Sequence, residues 1–374
     1  MAILALGSGA FVMALNANVM AALLPYLREL PEMAGEDFGN LVGAAGLAGA
    51  IGAFLLGPLV DWYGRRPPMV IGMVVFSLAS FAHVFATSFD QLMWARAATG
   101  FAGGVVYASA SAAVADLVPY ERRGKAMGLF TAGMFLGLPV GLPLAGVFAN
   151  YGHWEWVYIL QGVIGLFAMF AMRAYLPVGL GKGKAFFENL PKLATKDVFG
   201  ALGSVLLYVG SFFTAVQFAG GWLDDSGLLI KKNQWAVWVV LGLCAAAGSL
   251  FLARISDRIG KRNWTNITCV VVAGCLFALS FVDSMIGLLV VGIPLAAVSA
   301  ARTGPFQALI SELVPSDTRG TLMGIRSAAV NLGTGLFPVL VTKFGSDGYD
   351  ETLYLSSCGV MGALVLVVLL VKKQ

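Results

Sequence analysis

Apolar residues are grouped along this chain into long stretches that short polar segments separate. Twelve stretches are each long enough for an α-helix to cross about 30 Å of membrane hydrocarbon, which takes about 20 residues. None shows the alternation of apolar and polar residues that is typical of a membrane β-strand. The pattern predicts an all-α chain. The twelve predicted spans are residues 2–26, 39–61, 68–88, 91–117, 125–149, 155–177, 198–222, 234–255, 264–282, 285–312, 321–343 and 352–371.

The same groups of residues occur twice, at a constant offset of 196 residues. Because two separate segments recur without a change in spacing, we expect the chain to consist of two related halves. Two parallel halves with a binding site between them are one way to build a membrane transporter, so the repeat indicates function as well as fold. The repeated positions are Asp61, Gly64, Arg66, Asp116, Pro119, Arg123, Gly124 and Gly128, which recur as Asp257, Gly260, Arg262, Glu312, Pro315, Arg319, Gly320 and Gly324.

The composition supports a location in the membrane. Apolar residues make up 59% of the chain and charged residues 12%, which leaves too few polar side chains to cover soluble domains. The 47 glycines fit closely packed membrane helices, in which small residues let backbones approach. We therefore predict a polytopic membrane protein with twelve transmembrane helices in two pseudo-symmetric six-helix bundles.

Basic residues are distributed unevenly among the segments that connect the spans. With a cytoplasmic N-terminus, the cytoplasmic segments hold eighteen lysine and arginine residues, Arg326 among them, and the outer segments hold four. Because basic residues favour the cytoplasmic side, we expect a multi-pass protein of the cell membrane, the inner membrane in bacteria, with both termini in the cytoplasm. The net charge of +4 then reflects topology, and no nucleic-acid partner is inferred from it.

A polar, glycine-containing segment lies between the two halves. Residues 178–197 form the longest cytoplasmic connection and carry four lysines, so we interpret them as a linker. The linker divides the chain into an N-terminal bundle at residues 1–177 and a C-terminal bundle at residues 198–374. The segment 179–184 resembles a phosphate-binding loop only faintly, because it lacks the final Ser or Thr and a preceding strand.

The chain offers little support for catalysis. It contains two histidines, His83 and His153, and no nucleophile and base at a usual spacing. The four cysteines all fall inside predicted spans without the spacing of metal ligands. We therefore predict that the protein is not an enzyme, and we expect no metal and no cofactor.

Several motifs resemble those of a known transporter family. Residues 57–66, Gly-Pro-Leu-Val-Asp-Trp-Tyr-Gly-Arg-Arg, resemble the signature between helices 2 and 3 of the major facilitator superfamily, and residues 254–262 resemble its weaker copy between helices 8 and 9. Arg96 and the glycines that follow it resemble the arginine–glycine motif of helix 4. The glycines and proline of residues 133–146 resemble the antiporter motif of helix 5. The resemblance covers the whole chain and implies a secondary transporter similar to the drug:proton antiporter branch.

The repeated charges are predicted to form a conformational latch at the cytoplasmic face. Asp61 ends a predicted helix, where a carboxylate is poorly matched to the helix C-terminus and needs a positive partner. By the resemblance, Asp61 would hold the two halves together when the cavity opens outward. The alternative is that these residues are exposed charges that set topology. The predicted latch residues are Asp61, Gly64, Arg65, Arg66, Asp116, Asp257, Gly260, Lys261, Arg262 and Glu312.

Two arginines lie away from the predicted membrane faces. Arg96 falls in the outer third of predicted helix 4 and Arg302 in the inner half of predicted helix 10, and no acidic residue of the sequence falls as deep. An arginine in hydrocarbon is costly unless it faces protein or a water-filled cavity, so we expect both to face inward. We interpret Arg96 either as a substrate contact or as a link to Asn16 and Asn18 of predicted helix 1.

Arg302 is the stronger candidate for contact with a substrate or counter-ion. Its counterpart in the repeat is Val106, because 302 − 196 = 106, and departures from symmetry are where function is expected. The kink-prone Gly304-Pro305 pair follows it. The predicted substrate-binding residues are Arg302, Arg96, Asn16, Asn18, Tyr107, Tyr208, Gln217, Gln307 and Asn331.

Together these observations predict a secondary active transporter that works by alternating access and exports amphiphilic or organic small molecules. The alternative substrate class is organic anions, including lipid-like or phosphorylated ones, because both deep charges are positive. A receptor or scaffold with the same fold is a third alternative. We expect a monomer that contacts membrane lipid and a small-molecule substrate. Protons are a candidate coupling ion, with Asp61, Asp116 or the substrate itself as the titrating group.

Overall fold

The computed structural model describes most of the chain, and every regular element in the described residues is helical. Asp61 is described by its backbone only. The predicted all-α fold class is therefore confirmed. The described residues are 1–33, 36–118, 130, 133, 136–180, 186–315, 318–344 and 349–371.

The helices follow the predicted spans closely. A π-helical turn at Gly137–Gly141 leads into α6. In chain order the α-helices are α1 (Ala2–Asn18), α2 (Met20–Leu27), α3 (Phe38–Tyr63), α4 (Arg66–Ala82), α5 (Phe89–Leu117), α6 (Leu142–Asn150), α7 (Trp156–Tyr175), α8 (Phe186–Asn189), α9 (Lys196–Asp225), α10 (Gln234–Phe251), α11 (Ile255–Ile259), α12 (Lys261–Leu279), α13 (Met285–Glu312), α14 (Arg319–Phe344) and α15 (Tyr349–Leu370).

Ten helical segments within the described ranges are long and apolar enough to cross a membrane, and they coincide with ten of the twelve predicted spans. The fourth predicted span, 91–117, forms the 29-residue helix α5, which is not one of these ten. The fifth, 125–149, falls partly outside the described residues, and its described part ends in the shorter apolar segment Pro139–Asn150. A polytopic membrane architecture is thus confirmed, whereas the count of twelve stays a prediction.

Helices pack within each half of the chain and along one seam between the halves. In the first half, α5 packs against α3 and α4, and α7 packs against α1 and α4. In the second half, α9 packs against α14 and α15, and α13 packs against α10 and α12. Between the halves, α3 packs against α14, α2 against α9, and α6 against α10. The division at residues 178–197 into two bundles stays a prediction.

Glycines let α3 lie very close to helices on both of its sides. A Cβ atom added at Gly46 of α3 would collide with the backbone of Gly335 on α14, and one added at Gly104 of α5 would collide with the backbone of Gly49 on α3. These approaches require residues without a side chain. They hold α5 and α14 beside α3, so that side chains of α5 and α14 meet in the interior.

Candidate substrate site

Arg302 lies on α13 in an aromatic environment. Its side chain is almost fully buried, with 3% of the residue exposed. The guanidinium carbon lies 3.7 Å from the centre of the Tyr208 ring on α9 and 4.1 Å from the centre of the Phe306 ring on its own helix. Tyr208 in turn stacks on Phe212, with ring centres 6.1 Å apart. Contact between a desolvated guanidinium and an aromatic face contributes roughly 2 kcal/mol, so the rings hold Arg302 in place.

The N–H groups of Arg302 are not used by the described part of the protein. Its Nε and Nη2 atoms are buried and have no hydrogen-bond partner among the described residues. These two nitrogens form one edge of the guanidinium, the edge that binds both oxygens of a carboxylate or phosphate in parallel. No described carboxylate forms an ion pair with Arg302. The edge is therefore suited to an anionic ligand.

A second arginine, Arg326 on α14, lies within electrostatic range of Arg302. It interacts electrostatically with Arg302 and with Tyr107 of α5, and its Nε atom is buried without a hydrogen-bond partner among the described residues. The structure thus brings together Arg302, Arg326, Tyr107 and Tyr208 from four helices. We call these four residues the arginine site. Tyr107, Tyr208 and Arg302 belong to the predicted substrate-binding set.

Arg326 is counted among the cytoplasmic charges in the sequence, and its side of the membrane stays a prediction. Because α14 begins at Arg319, Arg326 lies two helical turns along the helix, and its Nε atom is buried within the protein. The sequence carries one signal that sets Arg326 apart. The counterpart of Arg326 in the repeat is Phe130, since 326 − 196 = 130, so Arg326 departs from symmetry in the same way as Arg302.

Arg96 has a different environment, in which protein groups bind one end of its guanidinium, while its Nε is buried without a hydrogen-bond partner among the described residues. It is 1% exposed, and its Nη1 donates to the backbone oxygen of Asn16 at 2.9 Å and to the side-chain oxygen of Asn16 at 3.2 Å. It also interacts with Tyr158 of α7, on which His83 stacks with ring centres 3.9 Å apart. The predicted contact with Asn16 is confirmed. Arg96 therefore joins α5 to α1 and α7.

Replacing Arg96 by glutamine should destabilise the protein without changing its preference for anions. The change leaves buried acceptors on Asn16 unpaired, which costs about 1–3 kcal/mol. We expect a lower melting temperature for purified Arg96→Gln, and an unchanged ratio between its affinities for an anion and for an uncharged analogue. Arg319→Gln, at an exposed position, is the control. A change in that ratio would indicate that Arg96 contacts substrate directly.

The other predicted substrate-binding residues are dispersed. Asn18 donates to the backbone oxygen of Ala14 in its own helix at 2.8 Å. Asn331 donates to Ser327 in the same way at 2.8 Å, with its side-chain oxygen next to Gly49 of α3. Gln307 is half-buried on α13. These contacts do not bring the three residues into one cluster with the arginine site, and a role for them in binding stays a prediction.

Gln217 connects the two halves of the chain. Its side-chain nitrogen donates to the backbone oxygen of Ala17 on α1. One turn further along α9, the backbone of Gly220 approaches the backbone oxygen of Ala21 on α2 so closely that no Cβ would fit. Gln217 is therefore part of a contact between α9 and the α1–α2 segment at the predicted outer end.

Charged residues extend this contact to the outer surface. Arg28 pairs with Asp225 at 3.2 Å, and Lys231 pairs with Glu29 and, at 3.4 Å, with Asp224. Two of these pairs, Arg28–Asp225 and Lys231–Glu29, join the first half to the second. Every described ion pair between the halves lies at this end. The described structure is thus closed at the predicted outer end.

The predicted latch residues show the sequence repeat in three dimensions. Gly64 and Gly260 both follow a helix end, with φ angles of 78° and 88° that favour glycine. Next to them, Arg65 donates to Asp116 at 2.8 Å, and Lys261 pairs with Glu312 at the equivalent place.

The next arginine in each copy contacts a backbone oxygen. Arg66 donates to the oxygen of Arg173 at 2.5 Å, and Arg262 to that of Val368 at 2.8 Å. Each of these four contacts lies within one half of the chain.

A latch between the halves is not tested by these contacts. The side chain of Asp61 lies outside the described residues, and Asp257 is exposed on α11. The latch was predicted for an outward-open state, whereas the described structure is closed at the outer end. The role of Asp61 and of the repeated charges in holding the halves together therefore stays a prediction.

The fold and the paired motifs agree with comparison to known proteins. The sequence profile described as Major Facilitator Superfamily matches residues 6–338 and also residues 201–374. The chain belongs to the Major Facilitator Superfamily. The resemblance seen in residues 57–66 is thereby confirmed. As a member of this superfamily the protein is a membrane transporter, which leaves the receptor or scaffold alternative without support.

Relatives in the superfamily carry different names. The 3-(3-hydroxy-phenyl)propionate transporter of Escherichia coli (strain K12) is 26% identical over 344 residues, which cover 88% of this chain and 84% of that protein. The multi-drug resistance efflux pump PmrA homolog of Lactococcus lactis is 24% identical, over 85% of this chain and 82% of that protein. Among solved structures, a D-xylose-proton symporter matches with a TM-score of 0.81, 16% identity, and coverage of 99% of this chain and 97% of that chain. This structural match shows the fold alone.

Proposed function

We propose that this Major Facilitator Superfamily protein transports organic anions by alternating access, and that Arg302 binds the anionic group. One observation carries the proposal. The buried Nε and Nη2 edge of Arg302 has no partner among the described residues, while Tyr208 and Phe306 hold the guanidinium in position. A buried donor without a partner is costly, so such an edge favours a ligand that supplies acceptors.

Two further facts support an anionic substrate. Arg326 adds a second positive charge within electrostatic range of Arg302, which repels cations and attracts anions. The Escherichia coli relative is named for 3-(3-hydroxy-phenyl)propionate, an aromatic carboxylate. Tyr208 of the arginine site and the neighbouring Phe306 provide aromatic surface beside the guanidinium of Arg302. We therefore propose small organic carboxylates with an apolar or aromatic body as the substrate class.

Export of amphiphilic molecules is the second candidate function. It is favoured by the similarity to the Lactococcus lactis efflux pump homolog. Export and anion transport are compatible, because an organic anion is itself amphiphilic, but the arginine site disfavours cationic compounds. We also propose that the protein is a monomer in the cell membrane with both termini in the cytoplasm, which the distribution of lysine and arginine supports.

Binding to the purified protein tests the proposal. We expect 3-(3-hydroxyphenyl)propionate to bind at least about tenfold more tightly than its uncharged amide, because only the carboxylate pairs with both N–H groups of the Arg302 edge. Isothermal titration calorimetry of both compounds in detergent provides the measurement. The two molecules have nearly the same shape, so the amide is a matched control. Equal affinities would contradict anion recognition by the arginine site.

A further inference from the structure

We propose that α8 (Phe186–Asn189), the short helix of the linker, acts as a wedge between α3 and α14 and stabilises the arrangement in which the outer end is closed. The linker then does more than join the two halves, because release of α8 becomes a step of the transport cycle. This inference rests on alternating access, which is part of the proposed function, and it is independent of the identity of the substrate.

The first step is the attachment of the linker to both halves. Before α8, the backbone oxygen of Leu180 accepts from the backbone N–H of Arg65 in the first half at 2.7 Å. After α8, Leu193 is 4% exposed and belongs to a cluster of buried residues of the second half that includes Leu309 and Leu322. The described parts of the linker are therefore packed against the protein on either side of α8.

The second step is the position of α8, which contacts both halves. Phe186 is 5% exposed, and its ring packs edge to face on Phe54 of α3, with ring centres 6.1 Å apart. Three residues later, the side-chain nitrogen of Asn189 donates to the hydroxyl oxygen of Thr321, in the first turn of α14, at 3.4 Å. The helix therefore connects α3 of the first half to the start of α14 in the second half.

The third step is the packing of α3 on α14 along the seam between the halves. Towards the outer end the two backbones touch, because a Cβ added at Gly46 would collide with Gly335. Further towards the predicted cytoplasmic end, the two helices line an apolar groove of about 430 Å³ that includes Phe54. A Cβ added at Gly324, near the start of α14, meets open space. Phe186 packs on Phe54, so α8 lies where direct contact between α3 and α14 has ended.

The effect of α8 on the transport cycle follows from this position. In alternating access one half rocks against the other, so opening of the outer end brings the cytoplasmic ends of α3 and α14 together. Because α8 lies between these ends, Phe186 must leave Phe54 before they can meet. The contacts of α8 exist in the outer-closed arrangement and are lost in the other one. They therefore shift the equilibrium towards outer closure.

Phe186→Ala tests the wedge, with Phe187→Ala as its matched control. Phe187 is the next residue of α8, but it is 60% exposed, and its described ring contact is with Phe186 of the same helix. We expect the ratio of outer-closed to outer-open protein to fall by roughly 2- to 12-fold in Phe186→Ala, which corresponds to the 0.5–1.5 kcal/mol of an aromatic pair. Phe187→Ala should keep the ratio of the wild type, because it leaves the contact with α3 in place.

Double electron–electron resonance measures this ratio without a substrate. Spin labels are attached to Tyr63→Cys and Arg319→Cys, at exposed positions of the cytoplasmic ends of α3 and α14, after the four native cysteines have been replaced by serine. In Phe186→Ala the population with the shorter distance between the labels should rise. An unchanged distribution, or a shift to longer distances, would overturn the wedge.

A second variant keeps the inference testable if Phe186→Ala does not fold. Asn189→Ala removes the bond to Thr321 and should shift the label distances in the same direction, because α8 is then held less firmly against α14. An unchanged distribution in Asn189→Ala would count against the wedge in the same way. Failure of the proposed anion site is seen separately, as absence of anion binding in calorimetry, and it leaves the label distances unaffected.

Discussion

Replacing Arg302 by glutamine should weaken binding of 3-(3-hydroxyphenyl)propionate by roughly 5- to 150-fold, which corresponds to about 1–3 kcal/mol for a lost hydrogen bond to a charged group. Glutamine keeps much of the volume of arginine, but it cannot offer two parallel charged donors. Binding of the uncharged amide should change little. Calorimetry with both ligands measures the loss of affinity for the anion and the loss of affinity for the amide. A larger loss for the anion shows that Arg302 recognises charge rather than only stabilising the fold.

Arg302→Lys separates geometry from charge. Lysine keeps the positive charge but loses the planar edge with its two parallel N–H groups, and it stacks less favourably on Tyr208 and Phe306. We expect an affinity for the anion between those of the wild type and Arg302→Gln. Arg319→Gln serves as the control for removal of an arginine as such. Equal losses for anion and amide in Arg302→Gln would favour a structural role, and the proposed anion site would then be wrong.

Much of the fold could be predicted from local properties of the sequence. Length and hydropathy alone define a helix that crosses a membrane, because no water is present there to bind the backbone. The predicted span 198–222 accordingly appears as α9 (Lys196–Asp225), which is two residues longer at its start and three at its end. The predicted span 285–312 has the same ends as α13 (Met285–Glu312). The sequence repeat also has a structural counterpart, since Arg65–Asp116 and Lys261–Glu312 form at the same spacing in both halves.

The candidate site was less predictable, because it depends on how helices rotate and pack. Arg302 was chosen for its depth and its lack of a repeat counterpart, and it proved to be almost fully buried. Phe306 was not chosen, although it lies one turn after Arg302, because an apolar residue on a membrane helix carries no sign of its neighbour. Arg326 is absent from the predicted substrate-binding residues because its depth depends on where α14 begins, and its one signal in the sequence is Phe130 at the equivalent repeat position. The contacts that these side chains make with their neighbours have no signal in a single sequence.

Gln217 is a residue for which the sequence suggested a substrate contact and the structure shows a contact between helices. Its polarity and depth suggested a residue that lines the cavity, and the structure shows a donor to the backbone of Ala17 across the boundary between the halves. Polar residues inside membrane proteins serve helix contacts as readily as substrate contacts. The sequence also placed the predicted latch at the cytoplasmic end, whereas the described ion pairs between the halves are at the outer end.

Gly220→Leu should hold the outer end of the protein open and reduce transport strongly. In the described structure Gly220 of α9 lies against the backbone of Ala21 on α2, where even a Cβ atom does not fit. Because both partners at this contact are backbone, the helices must separate, at a cost of about 1–3 kcal/mol by analogy with overpacked cores. This cost lowers the population closed at the outer end by roughly 5- to 150-fold, and the cycle slows accordingly.

Crosslinking measures this change without knowledge of the substrate. Arg28 and Asp225 form an ion pair across the outer end through the long arginine side chain, so cysteines at both positions, Arg28→Cys and Asp225→Cys, should be joined by a short bis-maleimide crosslinker when the outer end is closed. The four native cysteines are replaced by serine beforehand. We expect Gly220→Leu to lower the yield of the crosslinked product, whereas Gly274→Leu on α12, where a Cβ meets open space, should leave it unchanged. Full crosslinking together with undiminished transport in Gly220→Leu would show that the approach of α9 to α2 is not part of the outer closure. If the yield falls in Gly220→Leu and not in Gly274→Leu, the outer closure depends on the contact between α9 and α2. Both variants add the same side chain to a membrane helix, and they differ only in the atoms that this side chain meets.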